Sequence, residues 1–324
     1  MIRLANRIIL TEACNLSCPH CFNSNHRKQG EMDADILIEY MRINAQYLWD
    51  RELRIMGGEP TLHPRIIEVV EEACKYFSTI SLFTNGVTLP ELVRDRVFVK
   101  NHFTGKLGYA INGFTFNQPQ FDGYKDYIHT VKLHDVVPLE NVDIFIDRVF
   151  KQMDLHPQIT ILLSPDTQVN LVDQNVAEEY RKSWMKAMIA ILPELTLRAI
   201  PYGFDHYFPM CFYTQEMMDE LHLNDIEGLH QVRISCCGDH HMGLIDHNFD
   251  LYFCNQTRIK IGSILDENGD PMLVPDIMNI LHKYSCVKTD NVKELSEKCR
   301  DCGAVASCKT GCFYNSLRRD KTND

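Results

Sequence analysis

Ile8-Ile9-Leu10-Thr11-Glu12-Ala13-Cys14-Asn15-Leu16-Ser17-Cys18-Pro19-His20-Cys21 joins a short apolar, β-branched run to three cysteines in the spacing Cys-x3-Cys-x2-Cys. Ile8 to Thr11 reads as a buried strand, and the cysteines follow it directly. A structural zinc or iron–sulfur site wants four protein ligands. A local set of three with no fourth cysteine nearby therefore points to a metal centre that holds one coordination position open for something that is not protein. Two plainer readings exist: three buried cysteines, or a zinc knuckle completed by His20 or His26.

Further short apolar runs follow at Leu53 to Met56, Ile80 to Phe83, Leu107 to Ile111, Ile159 to Leu163 and Leu195 to Ile200. Between them lie stretches with apolar residues three and four apart, such as Ile36, Leu37, Tyr40, Met41, Ile43 and Tyr47, then Ile66, Ile67, Val70, Ala73 and Cys74. Repetition of strand and helix predicts an α/β fold with a parallel sheet and right-handed crossovers, either doubly wound or curled into a full or partial barrel. The active site of such a fold lies at the C-terminal ends of the strands. The three cysteines follow the first run, Gly57-Gly58-Glu59-Pro60 follows the second and Thr84-Asn85-Gly86 the third, so all three segments are expected on one face. Gly57 and Gly58, lacking Cβ, can let backbone approach a ligand closely, and Glu59 can accept a hydrogen bond from an ammonium group.

With 324 residues the chain can form one α/β domain of about 200 residues and a smaller second one without disulfide support. The boundary is expected near residue 205, giving domains 1–205 and 206–324, because the strand–helix rhythm stops there and most of the cysteines fall from Cys211 to Cys312. The charged N-terminus is unlike a secretory signal, and no apolar run of about 18 residues is present, so a cytoplasmic protein that does not span a membrane is expected. Thirteen cysteines in a reducing compartment indicate metal ligation rather than disulfides. A net charge of −11 argues against nucleic acid as a partner.

In the cysteine triad and the segments after the second and third runs, the chain resembles the radical SAM superfamily. The resemblance implies a partial (β/α)6 TIM-like barrel in which Cys14, Cys18 and Cys21 hold a [4Fe–4S] cluster, its fourth iron chelated by S-adenosyl-L-methionine. It also implies that Gly57, Gly58, Glu59 and Pro60 form the motif that grips the methionine amino group, and that Thr84 and Asn85 line the cofactor pocket. His20, before the last cysteine, would pack beside the adenine. Ala110-Ile111-Asn112-Gly113 resembles a fourth-strand segment that often reads Ser-x-Asp-Gly, so the ribose contact of that segment is not carried over.

Cys299-x2-Cys302-x5-Cys308-x3-Cys312 has the C-terminal spacing of the SPASM subgroup, and Cys254 with Cys236 or Cys237 resembles the rest of its framework. A zinc ribbon on the last four cysteines is the plainer alternative. The resemblance implies one or two auxiliary [4Fe–4S] clusters, the first on Cys254, Cys312 and one or both of Cys236 and Cys237, the second on Cys299, Cys302 and Cys308. The chain departs from the pattern where Phe249 replaces a usual glycine, and where no cysteine follows Cys312. Cys286 or a histidine such as His240, His241 or His247 could complete the second set. Cys211 and Cys286 are also candidate thiol hydrogen-atom donors, and Cys74 reads as core.

The resemblance implies an oxidoreductase that cleaves S-adenosylmethionine reductively to a 5′-deoxyadenosyl radical and abstracts hydrogen from an unactivated C–H bond. A flavodoxin- or ferredoxin-type electron donor is implied. A peptide or protein side chain is the first expectation for the substrate, although the chain has no room before Cys14 for the peptide-recognition domain that many such enzymes carry. Dehydrogenation or epimerisation of a small polar metabolite is the alternative, and a non-catalytic zinc or cluster scaffold is a third class.

Overall fold

The computed structural model describes residues 3–4, 6–18, 21, 30–48, 51–92, 94–113, 131–154, 159–166, 169, 174–204, 219, 241–252 and 260–291. The chain forms two compact units, Met1–Lys132 with His240–Ser285, and Leu133–Asp239 with Cys286–Asp324. The boundary expected near residue 205 falls inside the second unit.

The first unit begins with β1 (Arg3–Leu4) and β2 (Arg7–Thr11). Its central strands are β3 (Glu52–Gly57), β4 (Thr79–Thr84) and β5 (Leu107–Asn112). Strands β2 to β5 are parallel neighbours, with Ile8 opposite Ile55, Leu53 opposite Ile80 and Thr84 opposite Ile111. Alternation places Leu53, Ile55, Ile80 and Leu82 in the core. Helix α1 (Ala34–Ile43) starts where Asp33 Oδ1 accepts from Asp35 N and Ile36 N, at 2.8 and 3.2 Å. It buries Ala34, Leu37, Tyr40 and Met41, the three- and four-residue spacing read from the sequence. After the four-residue helix α2 (Ala45–Leu48), α3 (Ile66–Tyr76) likewise buries Ile66, Val69, Val70, Ala73 and Cys74. Burial pushes the Cys74 thiol up to about 11, as suits a core cysteine. Short α4 (Leu89–Leu92) and α5 (Arg96–Phe103) lead into β5.

Part of the cysteine-rich half joins this sheet. In chain order these elements are β9 (His241–Met242), β10 (Leu244–Ile245), β11 (Asp250–Tyr252) and β12 (Lys260–Ser263). β9 pairs in parallel with β1, and β10 pairs in parallel with β2 through Ile245 and Ile8. β11 and β12 continue the sheet antiparallel. In the turn between β10 and β11, Phe249 adopts φ 63°, the left-handed conformation that glycine takes without penalty. Asp246 holds the turn: its Oδ1 accepts from Asn248 N and Asp250 N, and its Oδ2 from the Tyr252 hydroxyl.

The second unit contains β6 (Val131–Val137), which starts at the end of the first, with α6 (Val142–Met153), β7 (Ile159–Pro165), α7 (Gln174–Leu197) and β8 (Tyr202–Phe204). The sixth run, Leu195 to Ile200, is not a strand. Its first residues end α7, where Tyr180, Trp184, Ala187, Met188, Ile191 and Leu195 form a buried stripe at helical spacing. That stripe outweighs the β-propensity of a short run whose remaining residues form the turn into β8. β7 and β8 pair in parallel. α8 (Val274–Asn291) crosses from the first unit into the second in sequence. The fold is a mixed α/β architecture with a parallel sheet that does not close on itself. Among the described residues no helix is long and apolar enough to cross a membrane.

Candidate functional site

The site is built where β2, β3 and β4 end. The cysteine segment leaves β2 and is pinned at its base, where Glu12 N donates to Gly30 O and Met32 N to Leu10 O, at 3.0 and 2.9 Å. Thr11 Oγ1 donates to the same Gly30 carbonyl and accepts from Ala13 N. Cys14, Cys18 and Cys21 are all outside any disulfide and half-buried. A tight turn forms where Cys21 N donates to Cys18 O, and Cys14 Sγ accepts from Leu16 N at 3.4 Å. Three reduced, partly accessible thiols on one segment are the donor set an iron–sulfur cluster takes. Among the described residues no three His, Cys, Asp or Glu side chains form a ready-made cage.

The two glycines at the end of β3 are required by the chain's own backbone. Gly58 N donates to Thr11 O and Glu59 N to Ala13 O, at 2.8 and 2.7 Å. A Cβ on Gly57 would lie 2.3 Å from Thr11 O, and one on Gly58 would lie 2.2 Å from Ala13 O. The close approach expected toward a ligand is thus made first to the cysteine segment, which the Gly-Gly pair zips to the end of β3.

Glu59 is fully buried. Its Oε1 accepts from Thr61 N, Thr61 Oγ1 and Thr84 Oγ1 at 3.1, 2.6 and 2.7 Å, and its Oε2 accepts from Asn85 N at 2.6 Å. Pro60 starts the short 3-10 turn Pro60–Leu62, which Glu59 caps through Thr61 N. Thr84 Oγ1 in turn accepts from Gly86 N, and Thr88 is hydrogen-bonded to Thr61. Asn85 Nδ2 donates to Asn15 Oδ1 at 2.7 Å, so the network reaches the cysteine segment itself. One buried carboxylate therefore ties the ends of β3 and β4 together, and Asn85 ties that pair to the cysteines. Asn15 and Thr61 are additions to the residues expected from sequence; an asparagine inside a cysteine spacer carries no motif signal of its own.

At the end of β5, Asn112 Nδ2 lies 4.0 Å from Cys18 Sγ. On the other side, His247 from the β10–β11 turn packs against Gly30, where a Cβ would lie 2.2 Å from its Nε2. Its Nδ1 is 3.7 Å from Glu12 Oε1, with the histidine side chain only 9% exposed. His247, a sequence candidate for an auxiliary ligand, is thus packed at the base of the cysteine segment.

His20, Cys211, Cys236, Cys237, Cys254, Cys299, Cys302, Cys308 and Cys312 lie outside the described residues, as does His240. Cys286 and His241 are described in backbone only, in α8 and β9.

A cysteine segment, a Gly-Gly-Glu turn and a Thr-Asn turn thus meet at consecutive C-terminal strand ends. Residues 8–96 match the model of the Radical SAM superfamily. The family implies a [4Fe–4S] cluster and S-adenosylmethionine, and the donor set at Cys14, Cys18 and Cys21 fits the cluster.

A probable GTP 3',8-cyclase of Thermococcus kodakarensis is 31% identical over 144 residues, covering 40% of this chain and 47% of that protein. The mycofactocin maturase MftC of Mycobacterium tuberculosis is 36% identical over 93 residues, covering 27% of this chain and 22% of that protein. The matched segments therefore span less than half the length of these relatives. The fold extends further: the crystal structure of Streptococcus suis SuiB bound to its precursor peptide SuiA superposes with a TM-score of 0.55 at 15% identity, covering 97% of this chain and 72% of that one.

Proposed function

We propose that this chain is a radical SAM oxidoreductase acting on an unactivated C–H bond in a peptide or protein side chain. The observation that carries the proposal is the junction of the three strand ends: three accessible thiols wired through Asn15, Asn85 and Glu59 to the Gly-Gly-Glu and Thr-Asn turns. Cys14, Cys18 and Cys21 would hold the cluster. Gly57, Gly58, Glu59, Pro60, Thr84 and Asn85 would shape the wall against which the cofactor lies, with His20 beside the adenine. When bound, the reduced cluster supplies one electron to the sulfonium of S-adenosylmethionine, whose C–S cleavage gives methionine and a 5′-deoxyadenosyl radical competent for hydrogen abstraction.

The chain's own contribution is positional. Backbone pairing of Gly58 and Glu59 with Thr11 and Ala13 fixes where the cysteines emerge, and the buried Glu59 network keeps the two turns from separating. Residues 206–324 would add one or two auxiliary [4Fe–4S] clusters on Cys236, Cys237, Cys254, Cys299, Cys302, Cys308 and Cys312. Their support is the Cys-x2-Cys-x5-Cys-x3-Cys spacing, together with the left-handed Phe249 where the resembled framework carries glycine. Cys211 and Cys286 are the thiols available to return a hydrogen atom. A flavodoxin- or ferredoxin-type protein would supply electrons.

Two relatives favour different substrates. The relative named as a maturase supports a peptide, while those named GTP 3',8-cyclase favour a small polar, nucleotide-like molecule as the second reading. Replacing Cys14, Cys18 and Cys21 together by Ala should abolish 5′-deoxyadenosine formation under dithionite, and sustained cleavage by that variant would refute the assignment. With product in hand, solvent deuterium in the product indicates epimerisation through a thiol donor. Two-electron loss without deuterium indicates dehydrogenation or crosslinking. Elemental analysis after anaerobic reconstitution separates both from a zinc scaffold, for which zinc and no iron are expected.

A further inference from the structure

The proposed cluster would receive a side-chain contact from outside the three motif segments. Asn112 is the last residue of β5, one position beyond the Thr84–Ile111 pair that ends the β4–β5 register. Ile111 is buried, whereas its neighbour Asn112 is half-buried and turns to the opposite face of the sheet, as strand alternation requires. Its amide nitrogen lies 4.0 Å from Cys18 Sγ, with the geometry of an N–H donor to sulfur. Cys14 also receives an amide donor, the backbone N–H of Leu16 in its own loop. The Cys18 contact differs in kind, because it comes from a neighbouring strand and a side chain that substitution can remove.

We propose that Asn112 is a positioning residue for the cluster's redox potential: its Nδ2–H donates to the Cys18 thiolate and makes the cluster easier to reduce. This rests on the reading of Cys14, Cys18 and Cys21 as cluster ligands. A reduced cluster carries one more negative charge than an oxidised one, spread partly onto the ligating sulfurs. A neutral N–H donor therefore stabilises the reduced form more, and the potential rises. An aspartate of nearly the same shape would do the opposite, placing an anion against the thiolate and removing the donor. The choice of amide over carboxylate at this strand end is thus a choice about electron acceptance.

The test is an EPR-monitored redox titration of the reconstituted full chain without S-adenosylmethionine, comparing the parent with Asn112→Gln, Asn112→Ala and Asn112→Asp. The titration follows the signal that later addition of S-adenosylmethionine perturbs, which excludes auxiliary clusters from the reading. At the parent's midpoint the reduced-to-oxidised ratio is expected to fall about threefold in the Ala variant and about tenfold in the Asp variant, tenfold being 59 mV for a one-electron couple. Asn112→Gln, which keeps the amide, is expected to return toward the parent. Matched iron content and far-UV circular dichroism separate a redox effect from loss of fold.

Midpoints that agree within twofold across the series, or an Asp variant easier to reduce than Ala, would overturn the proposal. Weakened S-adenosylmethionine binding with an unchanged midpoint would also overturn it, assigning Asn112 to the cofactor instead. A different failure marks the underlying reading: if the parent and the triple Cys→Ala variant at 14, 18 and 21 load equal iron and show the same signal, those cysteines are not ligands and both ideas fall.

Discussion

Two buried carboxylates, one in each compact unit, are treated in opposite ways by the fold. Glu59 sits at the strand ends with both oxygens occupied by four donors from the ends of β3 and β4. Asp135, in the middle of β6, is equally buried but leans on Arg148 of α6 through Oδ1 at 3.1 Å, while its Oδ2 has no hydrogen bond. Burial raises the Asp135 carboxyl above the ordinary aspartate range against the opposing pull of Arg148. The Arg148 guanidinium also lies 5.3 Å from the centre of the Phe145 ring. The difference separates a carboxylate that organises loops from one that is a costly pairing inside a strand–helix contact.

The largest expected effect is at Glu59. Glu59→Ala removes the acceptor for four donors and should destabilise the chain by about 3–5 kcal/mol, measured by urea unfolding. The same variant should load less iron, since the turns around the cysteine segment lose their tie. If it unfolds within about 1 kcal/mol of the parent, the contrast with Asp135 fails. Next, Gly58→Ala drives a Cβ into the Ala13 carbonyl and should cost about 2–4 kcal/mol with reduced cluster loading, read by iron per chain. A smaller loss, about 1 kcal/mol, is expected for Asn15→Ala, which removes one neutral hydrogen bond to Asn85.

The smallest change sharpens the other side of the comparison. Replacing the Asp135–Arg148 pair by Leu and Met should leave stability within about 1 kcal/mol of the parent or raise it. The sign with pH follows from the raised carboxyl. The folded chain binds the Asp135 proton more tightly than the unfolded chain, so this group favours the fold in acid and loses that contribution as pH rises through its folded value. The double variant should therefore gain on the parent as pH rises above the ordinary aspartate value of about 4; a gap that narrows with rising pH would contradict the reading of Asp135.

Much of this was legible in the sequence. Five of the six runs read as strands fall on β2, β3, β4, β5 and β7, and the three motif segments meet at consecutive strand ends as the α/β rule requires. β6 was hidden because its buried face reads Leu133, Asp135, Val137, with an acid where the period-two pattern needs an apolar residue; Arg148 and Gln152 on α6, with His134 beside it, offset part of the cost of burying that acid. Leu195 was misread because the end of a buried helical stripe and a short strand have the same composition. Strands of two or three residues, such as β9 and β10, carry no periodicity, so the pairing of the cysteine-rich half with β1 and β2 left no local trace. In the site, motif spacing indicated Glu59 but not its partners. Hydrogen bonds between residues 25 to 70 positions apart are properties of the register, not of any one segment.

The central claim is that the position left open by Cys14, Cys18 and Cys21 is the seat of S-adenosylmethionine. It is tested most directly by electron–nuclear double resonance on the reduced full chain with S-adenosylmethionine carrying nitrogen-15 in its methionine amino group. The account predicts a hyperfine coupling from that nitrogen to the cluster, absent in the triple Cys→Ala variant. A reduced cluster with the molecule demonstrably bound and no nitrogen coupling would contradict it.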